Sequence, residues 1–460
     1  MRYRIEKDLL GQRQVPAEAY YGIETLRGKE NFEITKRGIC RQMIKALAIV
    51  KKAAAKANVD ALNIDEKVGK AIMLACDEIL NGRLHGQFVT DLIQGGAGTS
   101  MNMNANEVIA NRANELLGGK KGVYDFVHPN DHVNFGQSTN DVIQTAGKIA
   151  IVKQLKKLQV ELKKLYNAYL NKATEFKDVI KMGRTHLQEA LPLRLGQEFS
   201  AYASALNRDM KRIDVAIEAL LEVNMGATAI GTSLNANEKY RKKVIYYLNK
   251  FSGEQIKPAK DLIDATRNFD TFGQASSTLK LLALNLSKTA SDLRLMASSG
   301  SNGFSEITLP HVQPGSSIMP GKYNPVVPEM VNQVCFYVIG LDVTITKAIE
   351  AGQLELNVFG PIILMSLFEQ ITTLRRATRT FHNLAISGLI ANTTKYKTDN
   401  SIYLITALSP HLGHEEACNV VNEAISSEKT IKQALLDHHI LSEEIINMVL
   451  DESNMTNPGI

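Results

Sequence analysis

Apolar side chains recur every three or four residues through the middle of the chain. Leu155, Leu158, Leu162, Leu165 and Tyr169 form one stripe within residues 141–172. Phe199, Leu206, Met210, Ile213, Ile217 and Leu220 form another within 195–223. Leu279, Leu282, Leu286, Ala290 and Leu293 form a third within 264–298. These spacings put each set on one face of a helix. Two further helices are predicted at 325–353 and 361–387, each opening beside a proline, which suits a first helical turn. A helix of thirty residues is about 45 Å long, and helices of that length pack side by side as a bundle. The stripes are core positions and carry no chemistry; their work is to hold the intervening loops.

The pattern therefore predicts a mainly all-α fold in three parts. Residues 1–138 mix short helices with Gly-rich turns, 139–391 form a central long-helix bundle, and 392–460 form a small helical C-terminal domain with a helix pair near 429–450. The sequence has no internal repeat, low-complexity tract or Pro-rich linker.

Composition narrows the classes of function. Apolar residues make up 44% and charged residues 22%, ordinary for a globular chain. The net charge of +5, from 53 basic and 48 acidic residues, comes without a basic run interleaved with aromatics, so no nucleic-acid partner is expected. Cys40, Cys76, Cys335 and Cys418 are scattered without metal-ligand spacing, which disfavours zinc and disulfides and fits a cytoplasmic setting. The charged N-terminal segment MRYRIEKDLLGQRQVP has no apolar signal core, and no run of about 18 apolar residues stands out, so no membrane span is expected.

Four segments break the helical rhythm with small hydroxyl, amide and glycine residues: QGGAGTSMNMNANEVIAN (94–111), HPNDHVNFGQSTND (128–141), GRTHLQEALPLRLGQE (183–198) and GSSIMPGKYNPVVPE (315–329). Each has a plain reading on its own. QSTND suits the cap of the helix that follows, and QGGAGT lacks the phosphate-loop pattern. His186 alone would be structural, and Lys322 alone a solvated charge. Together the segments offer neutral donors, one His and one Lys, and no metal-ligand cluster. That set suits a small multi-carboxylate anion, whose oxygens take neutral donors and one charge-assisted bond. It also suits catalysis through an anion whose charge builds on a carboxylate.

GSSIMPGKYNPVVPE resembles the signature of the aspartase/fumarase superfamily, and the other three segments resemble its remaining active-site regions in order. The likeness runs from DLLGQRQVPAEAYYG near the N-terminus to MTNPGI at the end. QGGAGTS, QSTND, YYG and AGQLELN are closer to the aspartase branch than to class II fumarases, which usually read QTGSGTQ, QSSND and YWG in the first three places.

The resemblance implies reversible deamination of L-aspartate to fumarate and ammonia through an aci-carboxylate intermediate, with a fumarase acting on fumarate and L-malate as the alternative. A third reading, a lyase scaffold kept as a structural protein, is opposed by retention of Ser316, Lys322, Asn324, Thr185 and His186. By resemblance Ser316 is the base. Thr99, Ser138, Thr139 and Ser317 surround the β-carboxylate, and Lys322 and Asn324 hold the α-carboxylate. Asn140, Thr185 and His186 contact the amino group or that carboxylate, and Glu329 is the partner of His186. No cofactor is implied as required, and a divalent cation such as Mg2+ enters as an activator at most. The family pattern further implies a homotetramer whose active site draws on three subunits. Two departures stand out: Tyr323 occupies a place where Val is usual, and Phe135-Gly136 replaces a Met/Lys-Ser pair.

Overall fold

The computed structural model describes residues 2–299, 303–392 and 401–457. Residues 393–400, where the sequence places the start of the C-terminal part, and 458–460 of the MTNPGI segment lie outside these.

Strands β1 (Tyr3–Asp8) and β2 (Gly11–Pro16) form an antiparallel hairpin. Helices α1 (Ile23–Asn31), α2 (Arg41–Asp60), α3 (Glu66–Leu80) and α4 (Thr99–Leu116) follow. The long α5 (Thr139–Glu175) leads to a second hairpin, β3 (Ile180–Thr185) and β4 (Gln188–Arg194), and then to α6 (Leu195–Leu220). Next come β5 (Glu222–Val223), α7 (Glu238–Ser252), β6 (Lys257–Pro258), α8 (Leu262–Arg267), α9 (Asp270–Met296) and β7 (Ile307–Thr308). After them lie α10 (Val326–Glu350), α11 (Gly360–Phe381) and β8 (Ile390–Ala391). The chain ends with α12 (Ile405–Leu412), α13 (His414–Ser426), α14 (Ile431–His438), α15 (Glu443–Val449) and α16 (Glu452–Met455). β5 and β6 pair parallel, β7 and β8 antiparallel. The fold is mainly α-helical, as the apolar spacing predicts.

The described residues fall into two compact units, one within 1–160, 209–283 and 334–375, the other within 161–208, 284–333 and 376–460. In the first unit, α9, α10 and α11 are pinned by buried polar bonds. Asp342 accepts from Ser276 Oγ at 2.7 Å and from Lys280 Nζ at 2.6 Å, and Gln370 Nε2 donates to Ser276 Oγ and to the Val338 carbonyl. Buried Glu107 of α4 accepts the backbone N–H groups of Gly22, Glu24 and Thr25, so a side chain from another helix satisfies the open end of α1. Burial pushes this carboxyl up to about 7 despite those donors. In the second unit, the rings of Tyr169, Phe176, Phe199 and Tyr202 pack tilted or edge-to-face where α5 meets α6. α12 to α15 bury their own core, with Leu408, Val420, Ala434, Leu435 and Ile446 at its centre.

The stripe residues named from the sequence, Leu155, Leu158, Leu162, Leu165 and Tyr169 among them, are buried, except Met210, which is half-buried. The expectation of no membrane-length apolar run needs amending. α10 is long and apolar enough to cross a membrane by length and composition alone, with an 18-residue window of mean hydropathy 1.3. Its carboxylate Asp342 nevertheless lies buried and paired inside the first unit.

Candidate active site

The candidate residues divide between the two units. Thr99, Ser138, Thr139 and Asn140 belong to the first. Thr185, His186, Ser316, Ser317, Lys322, Asn324 and Glu329 belong to the second.

In the first unit two helix N-termini lie together. Gly96, Ala97 and Gly98 all have positive φ, a run that glycine tolerates and that turns the chain into α4. Gln94, buried beneath, donates to the Asp91 carbonyl and accepts from the Met101 N–H. A Cβ at Gly98 would come within 3.1 Å of Ile143 on α5, so the two helices meet through this glycine. Thr99 opens α4, exposed, with its hydroxyl on the Gly96 carbonyl at 2.7 Å. Ser138 caps α5: its Oγ accepts from the Asn140 N–H, and its own N–H donates to Asp141. That is the capping role the sequence allows. Asn140 Nδ2 donates to the Ala229 carbonyl at 2.6 Å. Thr139 Oγ1 accepts from Asn102 of α4 at 3.4 Å, which links the two helix starts. The positive ends of two helix dipoles favour an anion here. Beside them opens a cavity of about 790 Å³ lined by Asn134, Gln137, Ser138, Thr139, Thr228 and Asn235.

A buried polar layer supports this end of α5. Lys51, wholly buried on α2, donates to Asn134 Oδ1 at 2.9 Å and Gln137 Oε1 at 3.0 Å. Asn102 and Asn106 donate to the same Asn134 oxygen. Asp141, also wholly buried, accepts from the N–H groups of Ser138, Gly226 and Thr228. Burial pushes the Asp141 carboxyl up to about 6, against those donors, and pushes the Lys51 ammonium down to about 7, against the attraction of Asp141. Sequence reading missed Lys51, Asn102, Asn106 and Asn134. Lys51 stands in the alanine-rich run AIVKKAAAKA, where a lysine reads as solvated surface. Its only signal is the apolar company on both sides.

In the second unit, Thr185 and His186 stand at the tip of the β3–β4 hairpin. Thr185 pairs with Gln188, and the two residues between, His186 and Leu187, both adopt left-handed φ of 55° and 61°. Such tight turns usually carry Asn or Gly. A leucine there costs about 1–2 kcal/mol, and strain of this kind gathers at functional sites. All four residues are exposed. The hairpin base is fixed by buried Lys181, which pairs with Glu198 at 3.0 Å and Glu306 at 2.8 Å, and by Arg184 on Glu306.

The loop at 315–324 folds back on itself. The Gly315 N–H donates to the Lys322 carbonyl at 2.9 Å, and Asn324 Nδ2 donates to the Gly315 carbonyl at 2.7 Å. A Cβ at Gly315 would lie 2.4 Å from the Lys322 carbonyl oxygen, so only glycine allows this closure. Ser316 Oγ accepts the N–H groups of Ile318 at 3.2 Å and Met319 at 3.0 Å. Ser316 is half-buried, while Ser317 and Lys322 are exposed. Lys322 and Asn324 line a cavity of about 320 Å³ with Thr308, His311, Tyr323 and Asn392. Glu329 lies in the first turn of α10. Within the chain, among the described residues, no ion pair joins it to His186, and no group of three His, Cys, Asp or Glu side chains is placed to hold a metal.

Comparison with known proteins identifies similar chains. The family described as Lyase matches residues 11–340, and that described as Fumarase C C-terminus matches 404–457. The aspartate ammonia-lyase of Bacillus subtilis (strain 168) is 52% identical over 460 residues, covering 100% of this chain and 97% of that protein. The aspartate ammonia-lyase of Helicobacter pylori (strain ATCC 700392 / 26695) is 48% identical over 99% of this chain and 98% of its own. That of Escherichia coli (strain K12) is 45% identical over 99% and 96%. Among solved structures, a fumarate lyase:delta crystallin from Brucella melitensis bound to cobalt superposes with a TM-score of 0.96 at 44% identity, over 99% of this chain and 100% of that one. A class II fumarase from Schistosoma mansoni superposes with a TM-score of 0.97 at 34% identity, over the whole of both chains.

Proposed function

The chain belongs to the aspartase/fumarase family of lyases, and on that premise we propose that it deaminates L-aspartate reversibly to fumarate and ammonia. Full-length identity of 45–52% to aspartate ammonia-lyases supports the amino acid as substrate. The class II fumarase of the same fold stands at 34% and supports the hydratase alternative less well.

The difficult step is removing a proton from the carbon beside the β-carboxylate. That group is already anionic, so the carbanion is an aci-carboxylate with two charges, and catalysis must bind it more tightly than the substrate. Ser316 takes the proton. A free serine hydroxyl is far too weak an acid to ionise at neutral pH. The observation that carries this reading is that its Oγ already accepts two backbone N–H groups, those of Ile318 and Met319, which stabilise an alkoxide. The Lys322 charge in the same loop adds to that stabilisation. Thr99, Ser138, Thr139 and Ser317 donate to the β-carboxylate as its charge grows. Lys322 and Asn324 hold the α-carboxylate, and Asn140, Thr185 and His186 orient the amino group. The electron pair then forms the C=C bond as the Cα–N bond breaks, and nitrogen leaves as ammonia. An ammonium already carries its proton, so His186 need supply none; a leaving hydroxide would need one. These groups do the work without a required cofactor, a divalent cation acting as activator at most.

We place the enzyme in the cytoplasm as a homotetramer. The four cysteines are free thiols. The hairpin tip with Thr185 and His186 is exposed in one chain, as are Phe336, Tyr337 and Val343 on α10. In a tetramer these surfaces meet other subunits, His186 finds Glu329, and three chains complete each site. Purified protein supplied with L-aspartate or L-malate, with fumarate followed by ultraviolet absorbance, tests the reading. Fumarate is expected from L-aspartate; fumarate from L-malate alone would refute the choice of substrate.

A further inference from the structure

Hydrogen bonds within the 315–324 loop give it shape, and Tyr323 ties it outward. The Tyr323 ring lies flat on the His311 imidazole, with centroids 3.7 Å apart and planes 5° from parallel. His311 follows β7 closely. That strand is held to β8 by the pairs Ile307–Ala391 and Thr308–Ile390, and by Thr308 Oγ1 on Asn392 at 2.9 Å. The ring pair therefore joins the catalytic loop to a segment next to a fixed sheet, all within the second unit. Both rings line the cavity of about 320 Å³ that Lys322 and Asn324 also line.

Tyr323 stands between Lys322 and Asn324 in sequence. Its ring fixes the backbone from which both neighbours project. We propose that the His311–Tyr323 stack is a positioning pair that aims Lys322 and Asn324 at the substrate α-carboxylate. The proposal rests on the function given above and assigns the pair a part chiefly in substrate binding, through Lys322 and Asn324. Neither ring touches the reacting atoms.

Steady-state kinetics of the full chain with L-aspartate test it. Aromatic pairs contribute a factor of roughly two to ten. Tyr323→Ala and His311→Ala should each raise KM about three- to tenfold, with kcat, to which the Lys322 charge also contributes, falling by less than KM rises. The double variant should be no worse than the weaker single, because one contact is lost once. Tyr323→Phe keeps the stack and should restore wild-type KM. The chain has no tryptophan, so Tyr323→Trp introduces a single indole that can stack on His311. Its emission should change when His311→Ala is added. An unchanged KM in both singles, effects that multiply in the double, or Trp emission indifferent to His311 would each overturn the proposal. A wild-type chain releasing no fumarate from L-aspartate would overturn instead the functional reading beneath it, and that control tells the two failures apart.

Discussion

Lys51 places an amine where no water reaches, with two amide oxygens as hydrogen-bond acceptors. A neutral amine has two N–H groups to give, so the geometry is satisfied without charge. Its value falls from an ordinary 10.5 to about 7 because burial outweighs the pull of Asp141. Between those two values the unfolded chain holds more protons than the folded one. The stability this position contributes therefore rises with pH from about 7 towards 10.5 and is lost as pH falls through that window. Lys51→Met removes the titration. Denaturant unfolding across that window should show wild type gaining on the variant as pH rises; a constant difference would contradict the assignment. Asp141 works in the opposite sense and lower down: its value is raised from 3.8 to about 6, so its contribution is present at low pH and lost as pH rises through that range.

At the scale of elements, Ser138 has two readings that one substitution separates. It caps α5 through its hydroxyl and, in the proposed reaction, donates to the β-carboxylate. Glycine is itself an acceptable cap and costs only a few tenths of a kcal/mol. Ser138→Gly should therefore leave Tm nearly unchanged while lowering kcat by about 10²-fold, the usual effect of losing one such donor. A wild-type kcat would leave Ser138 with the cap alone. The long helices were legible because their stripes obey the helical period over many turns. α4 was not: MNMNANEVIANRAN buries Asn102, Asn104, Asn106, Asn111 and Asn114, and buried amides break the apolar pattern that marks a helix. The β3–β4 hairpin was also invisible, since His186-Leu187 is not the Asn-Gly pair that announces such a turn. The chemistry-bearing loops stood out in the sequence for the opposite reason: glycine and hydroxyl residues interrupt the stripes. Lys51 beneath them gives no such signal because its role depends on three-dimensional neighbours.

Across the whole molecule, the two units hold different members of the candidate site, and the helices that run through both expose apolar residues. Within the first unit, Leu281 on α9 and Phe336, Tyr337 and Val343 on α10 are exposed. Exposed apolar surface of this kind marks association, and the proposed tetramer covers it. Phe336→Glu, 63% exposed in one chain, should weaken assembly. Activity should then fall with dilution in step with the tetramer fraction measured by sedimentation; a fully active isolated monomer would refute a site shared between subunits.

The central claim is that Ser316, poised by the Ile318 and Met319 N–H groups, takes the proton in the deamination of L-aspartate. Fumarate release from L-aspartate by wild type and Ser316→Ala, both as intact assemblies, tests it most directly. General bases contribute about 10²–10⁴ in rate, so the variant should lose at least about 10²-fold in kcat while its quaternary structure and Tm stay as in wild type. A variant that kept kcat within a few-fold of wild type would contradict the account.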